Sequence, residues 1–153
     1  MKIVLALLTM LIFANNVIAS DSIGIGIRDG AATNHETSNF TELFADIYLN
    51  RIVSIGASAS YVMPNRDHIN SIQRSNSEPV TALFKLHAPI PILQPYAGLG
   101  EALEFHNKYG PTGTPVALAG LDFPIGPLFL NVEYRRQFND MLNFVSGGVG
   151  IKF

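Results

Sequence analysis

The sequence predicts an all-β protein: an eight-stranded antiparallel up-and-down β-barrel that crosses a membrane with its strands. Three observations carry this prediction. Period-two alternation of apolar and non-apolar residues recurs in eight segments after the first twenty residues. The non-apolar partners in that alternation are mostly Gly, Ser and a few charges, not the Lys and Glu of a sheet face in water. The connections tend to alternate between tight turns and longer polar loops, the layout of a transmembrane barrel.

Composition sets the bounds. The chain has 153 residues, of which 48% are hydrophobic and 14% charged. An average soluble domain carries roughly 25% charged residues. No apolar run reaches the ~20 residues of a spanning helix, so the excess apolar character is distributed along the chain. Thirteen Gly and nine Pro argue against a helical bundle. A net charge of −2 gives no reason to expect a nucleic-acid partner. The absence of Cys excludes disulfides, thiolate metal sites and thiol chemistry.

Residues 1–19 read as a secretory signal peptide. Lys2 supplies a charged start, residues 3–14 form an apolar run broken by Thr9, and Val17-Ile18-Ala19 forms the cleavage region. The apolar run is too short to span a membrane. The expected domain is therefore 20–153.

The first expected strand covers residues 22–28, with Ile23, Ile25 and Ile27 on one face and Gly24, Gly26 and Arg28 on the other. The second covers 40–50 and sets Leu43, Ala45, Ile47 and Leu49 against Glu42, Phe44, Asp46, Tyr48 and Asn50. The third (51–62) alternates Val53, Ile55, Ala57, Ala59 and Tyr61 with Ser54, Gly56, Ser58 and Ser60. The fourth (80–88) places Val80, Ala82, Phe84 and Leu86 opposite Thr81, Lys85 and His87. The fifth (92–105), sixth (115–123), seventh (128–137) and eighth (142–153) continue the pattern. Asp122, then Asn131, Glu133 and Arg135, then Ser146, Gly148, Gly150 and Lys152 lie on their non-apolar faces. Tight turns are expected at Asn50-Arg51, 88–91 and 124–127. Longer polar loops are expected at 29–39, 63–79 and 106–114, and a short polar one at 138–141. Prolines fall almost entirely in connections, because they cannot donate to a ladder.

The non-apolar face is the interior of such a barrel, and eight strands leave a lumen just wide enough for side chains to fill. Its predicted polar network is Arg28, Asp46, Lys85, His87, Asp122, Glu133, Arg135 and Lys152. Charges buried there are tolerable when paired and hydrogen-bonded. The expected role is a salt-bridged plug, with a gate to a narrow pore as the alternative.

Four segments carry a resemblance. The chain ends in Phe153, with Ile151, Val149 and Val145 alternating before it. Residues 94–100 (QPYAGLG), and 119–124 (AGLDFP) followed by 131–135 (NVEYR), are similar to family strand sequences. On these the chain resembles the small eight-stranded outer-membrane barrels of Gram-negative bacteria: the outer-membrane protein A transmembrane domain and the opacity-type and W-type proteins. The resemblance implies an outer-membrane location, with both termini in the periplasm. It implies contact with outer-membrane lipids and lipopolysaccharide. It also implies that the barrel-assembly machinery reads Val149, Ile151 and Phe153. The chain has no Trp; Tyr61, Phe84, Phe105, Phe123, Tyr134 and Phe153 are the candidates for an aromatic girdle.

The resemblance implies a structural or surface-interaction role, adhesion or host contact, through the external loops. A narrow channel for small solutes is the alternative. Loop 64–78 holds Asn65, Arg66, Asp67, His68, Gln73 and Arg74; Arg66, Arg74 and Lys108 are candidate contacts to lipopolysaccharide phosphates or a surface ligand.

A lipid A-modifying enzyme is the weaker alternative. Asp46, Ser54 and His87 are expected on neighbouring strands facing inward, but a triad needs His between Ser and Asp. The His-x-Ser motif of barrel deacylases is absent after His35, His68, His87 and His106. These histidines also lack metal-ligand spacing. Gly24-x-Gly26 and Gly98-x-Gly100 precede no helix and are not phosphate loops. No cofactor, metal or catalytic residue is expected.

Overall fold

The computed structural model describes residues 23–33, 37–63, 79–106, 110–139 and 141–153. Eight strands pair in chain order into a closed antiparallel barrel. They are β1 (Ile23–Thr33), β2 (Thr37–Tyr48), β3 (Val53–Val62), β4 (Val80–His87), β5 (Gln94–His106), β6 (Gly110–Ile125), β7 (Leu128–Gln137) and β8 (Leu142–Lys152). The alternating sequence forms strands because each face meets one environment. Exposed Ile25, Leu43, Ile55, Leu99, Leu130, Val149 and Ile151 cover the outside, while Arg28, Glu42, Ser58 and Glu133 are buried inside. This inversion of a soluble protein is the chemistry of a transmembrane barrel, where closure leaves no backbone edge in lipid.

The register fixes the geometry. The row Ile23–Ile47–Ile55–Phe84–Leu99–Ala117–Arg136–Asn143 circles the barrel and returns to β1 at Thr33, ten positions beyond its start. Eight strands with a stagger of ten tilt by roughly 40° and form a barrel of roughly 8 Å backbone radius. The seam joins β1 to β8. Ile23 and Phe153 exchange backbone hydrogen bonds, each 3.0 Å long.

Local chemistry explains the tight turns. The Asn50 side chain accepts hydrogen bonds from the amides of Ile52 and Val53, both at 2.8 Å, and so closes the β2–β3 turn. Gly126 opens the two-residue β6–β7 turn with φ of 63°, a conformation that suits glycine.

Two expectations are corrected. The loops at 29–39 and 106–114 are mostly strand: β1 runs on to Thr33 and pairs with β2 from Thr37, and β5 pairs with β6 down to His106–Gly110. Apolar alternation fades where the outward face leaves the lipid, yet the backbone ladder continues. The 63–79 connection is thereby left as the long one. Secondly, the interior holds more than small residues and charges. Phe40, Phe44, Phe129, Phe144, Tyr96, Leu83, Val116 and Leu118 are buried in it. The small residues make their room: Gly26, Gly120 and Gly150 pair directly with Phe44, Tyr96 and Phe129, whose rings lie over them.

Candidate functional site: the luminal ion-pair network

Inward positions on all eight strands contribute to the luminal polar network. At its centre the Glu42 carboxylate is shared. Arg28 pairs with Oε1, while Arg135 and the Ser60 hydroxyl donate to Oε2. Arg28 also reaches Glu133 at 2.5 Å and donates to Asn131 Oδ1 at 3.1 Å. Arg135 donates to Ser58 Oγ at 3.2 Å. The Tyr96 hydroxyl donates to Glu133 at 2.8 Å and accepts from Asn131 at 2.8 Å. Asn131 donates on to Asp122 at 2.7 Å.

Nearer the short-turn end, Lys85 meets both oxygens of Asp46 at 2.9 Å. Lys152 lies 3.8 Å from Asp122 and donates to Gln94 at 3.3 Å. Aromatic faces pack on the cations. Phe44 lies 4.4 Å from the Arg28 guanidinium and Phe144 4.8 Å from that of Arg135; Lys152 stands 4.7 Å from the Tyr48 ring and 4.9 Å from that of Phe129.

The network's charges balance: Arg28, Lys85, Arg135 and Lys152 against Glu42, Asp46, Asp122 and Glu133. The Arg28 and Glu42 side chains have 0% exposure. Charges so far from water persist only when mutually paired, and losing one partner strands the other. Toward the long-loop end an apolar layer of Ala32, Phe40 and Phe144 is packed against Val62 and Leu142. Phe40 and Phe144 meet edge to face, 5.0 Å between centroids. On the β4–β6 wall, Leu83, Tyr96, Ala102, Val116 and Leu118 form a second apolar cluster.

Of the residues expected in the network, Arg28, Asp46, Lys85, Asp122, Glu133, Arg135 and Lys152 lie within it. His87 stands apart. Its Nε2 is 2.8 Å from Ser54 Oγ, and its ring packs between Tyr48 and Tyr96, each centroid 5.3 Å away. Its Nδ1 has no hydrogen-bond partner among the described residues. Asp46 is engaged by Lys85, so Asp46, Ser54 and His87 make a pair and a separate ion pair, not a triad. Glu42, Tyr96 and Asn131 were missed as network members, although the parity of Glu42 with Asp46 and of Asn131 with Glu133 was a usable signal. Val149, Ile151 and Phe153 all face outward. Arg66, Arg74 and Lys108 lie outside the described residues, as do residues 1–19.

Fold and lumen together define the class: an eight-stranded transmembrane β-barrel with a filled interior. No protein-family model matches the chain, and no curated protein matches it in sequence. Solved structures do match. A de novo designed transmembrane β-barrel superposes with a TM-score of 0.66 at 18% identity, covering 89% of this chain and 98% of that one. The N-terminal barrel domain of Pseudomonas aeruginosa OprF gives 0.61 at 14% identity, covering 85% and 97%. The outer-membrane enzyme PagL gives 0.58 at 11% identity, covering 85% and 99%. At these identities the likeness is one of fold. A designed chain among the matches makes the same point, since this architecture can be reached without any inherited function.

Proposed function

We propose that this protein is a Gram-negative outer-membrane barrel, of the outer-membrane protein A, opacity and W-type kind, with a structural or surface-interaction role. The observation that carries the proposal is the filled lumen: a charge-balanced, buried ion-pair network with apolar side chains packed beside and beyond it. With the interior occupied, recognition falls to the loop end. There the 63–79 connection offers the longest stretch of chain, with Arg66 and Arg74 in it and Lys108 in the β5–β6 connection as contacts for lipopolysaccharide phosphates or a surface ligand. Val149, Ile151 and Phe153 serve the assembly machinery. The signal peptide at 1–19 delivers the chain, and both chain termini lie in the periplasm.

A second reading, a gated narrow channel, is favoured by one feature: Glu42 is shared by two arginines, so its pairing can be exchanged without stranding the carboxylate. The buried Ser54–His87 pair supports no hydrolase, since no carboxylate orients His87 among the described residues.

The test has two readouts. Outer-membrane fractions are run unheated and boiled on a denaturing gel; a heat-dependent shift is expected. The purified barrel is then placed in planar bilayers, where a flat current trace is expected. Discrete conductance steps would replace the sealed reading with the channel. A soluble protein without a shift would remove the membrane reading altogether.

A further inference from the structure

The outward side of β8 carries Asn143, Val145, Gly147, Val149 and Ile151, and one of these is unexplained by lipid or lumen. Gly147 is exposed and points outward. Other strand glycines are forced by their neighbours: a Cβ on Gly30 would stand 2.0 Å from the Val145 carbonyl, and one on Gly148 2.1 Å from that of Ile27. A Cβ on Gly147 would meet nothing nearer than the Asn131 carbonyl at 3.8 Å. Glycine weakens a strand interior and marks places where another backbone approaches closely. The described residues of this chain make no such approach to Gly147 from outside.

The charges around it say what does. Asp29 of β1 lies directly opposite Gly147, and Arg136 of β7 lies opposite Asn143; both are exposed on the outer face. Val145 sits between them, opposite Ala31 on β1 and Tyr134 on β7. Given the tilt set by the stagger, Arg136 and Asp29 stand within about 2 Å of the height of Val145, one about 8 Å to each side. Opposite charges placed evenly about one residue make a self-complementary face. A two-fold axis along the membrane normal through Val145 carries Arg136 of each copy to Asp29 of the other. Asp29 already accepts from Thr41 Oγ1 at 2.6 Å on one carboxylate oxygen, which leaves the other for a second donor.

We propose that the β7–β8–β1 face is the interface of a homodimer, with Val145 at the axis, Gly147 beside it leaving room for the partner copy, and Arg136–Asp29 pairs at the edges. Small residues let backbones approach in lipid, and opposite charges at the rim of the apolar band gain by pairing across copies. The proposal concerns assembly within the bilayer and goes beyond the surface role.

The chain lacks cysteine, so Val145→Cys provides a single thiol at the axis. The full barrel is reconstituted in phosphatidylcholine vesicles and treated with a mild thiol oxidant, and each variant's fold is checked by heat-dependent migration. Val145→Cys is expected to give a disulfide-linked dimer at least tenfold above Ala57→Cys, which lies on β3 away from this face. Adding Arg136→Asp, or Gly147→Leu, is expected to lower that yield several-fold. Combining Asp29→Arg with Arg136→Asp is expected to restore it. Equal cross-linking from positions 145 and 57, or no recovery in the double reversal, would overturn the interface.

Discussion

Two walls of one lumen, built by the same alternating rule, are filled in opposite ways. The wall formed by β1, β2 and β7 presents Arg28, Glu42, Glu133 and Arg135, all buried. The β4–β6 wall presents Leu83, Ala102, Val116 and Leu118, and carries its charges, Lys85 and Asp122, only toward the short-turn end. The difference shows how a narrow barrel can bury ions. Each charge is met by another charge, most often from a strand two or three places round the barrel, and the facing wall supplies apolar bulk instead of water. The charged wall specifies which strands sit together, because its pairs tie residues far apart in the chain, such as Arg28 to Glu133. The apolar wall supplies packing that tolerates exchange between similar shapes.

Substitutions on each wall break the comparison with different force. Glu42→Ala has the largest expected effect. It leaves Arg135 without a carboxylate and costs about 3–5 kcal/mol, read as a lowered denaturant midpoint for loss of β-sheet circular dichroism in vesicles. Leu118→Ala on the other wall opens a cavity and is expected to cost about 2–4 kcal/mol in the same assay. A result in which Leu118→Ala clearly exceeds Glu42→Ala would show that packing, not pairing, dominates the lumen. Gly26→Ala is the smallest of the three. Its Cβ would stand 2.5 Å from the Phe44 ring and 2.6 Å from the Val149 carbonyl. An overpacking loss of about 1–3 kcal/mol is expected, and replacing Phe44 with Leu in the same chain should recover part of it.

Much of this was legible in the sequence, for a physical reason. Side-chain parity in a strand is local, so Ile23, Ile25 and Ile27 could be assigned to lipid and Arg28 to the interior without knowing any partner. Distance across the lumen is not local. Whether Glu42 meets Arg135 depends on the accumulated stagger of several strands, which alternation does not encode. Hence Glu42 could be put on the correct face yet left out of the network. The aromatic filling was legible only in part: parity puts Phe44 on the inner face, but Gly26, Gly120 and Gly150 look like a preference for smallness until the register sets Phe44, Tyr96 and Phe129 over them. The ends of β1 and β6 were underestimated because Asp29-Gly30 and Gly110-Pro111 read as loop, while pairing carries both strands past the lipid.

Seven of the eight strand pairings join neighbours along the chain; the eighth, β1 with β8, joins segments more than a hundred residues apart. The hairpins can form early and in any order, but the seam between Ile23 and Phe153 demands that all of them be in place. Ring closure is thus an entropic toll collected in a single late step, which makes the rate of folding sensitive to the last strand far more than to any one hairpin. Run backwards, the same asymmetry makes that seam the natural place for the closed barrel to begin unzipping.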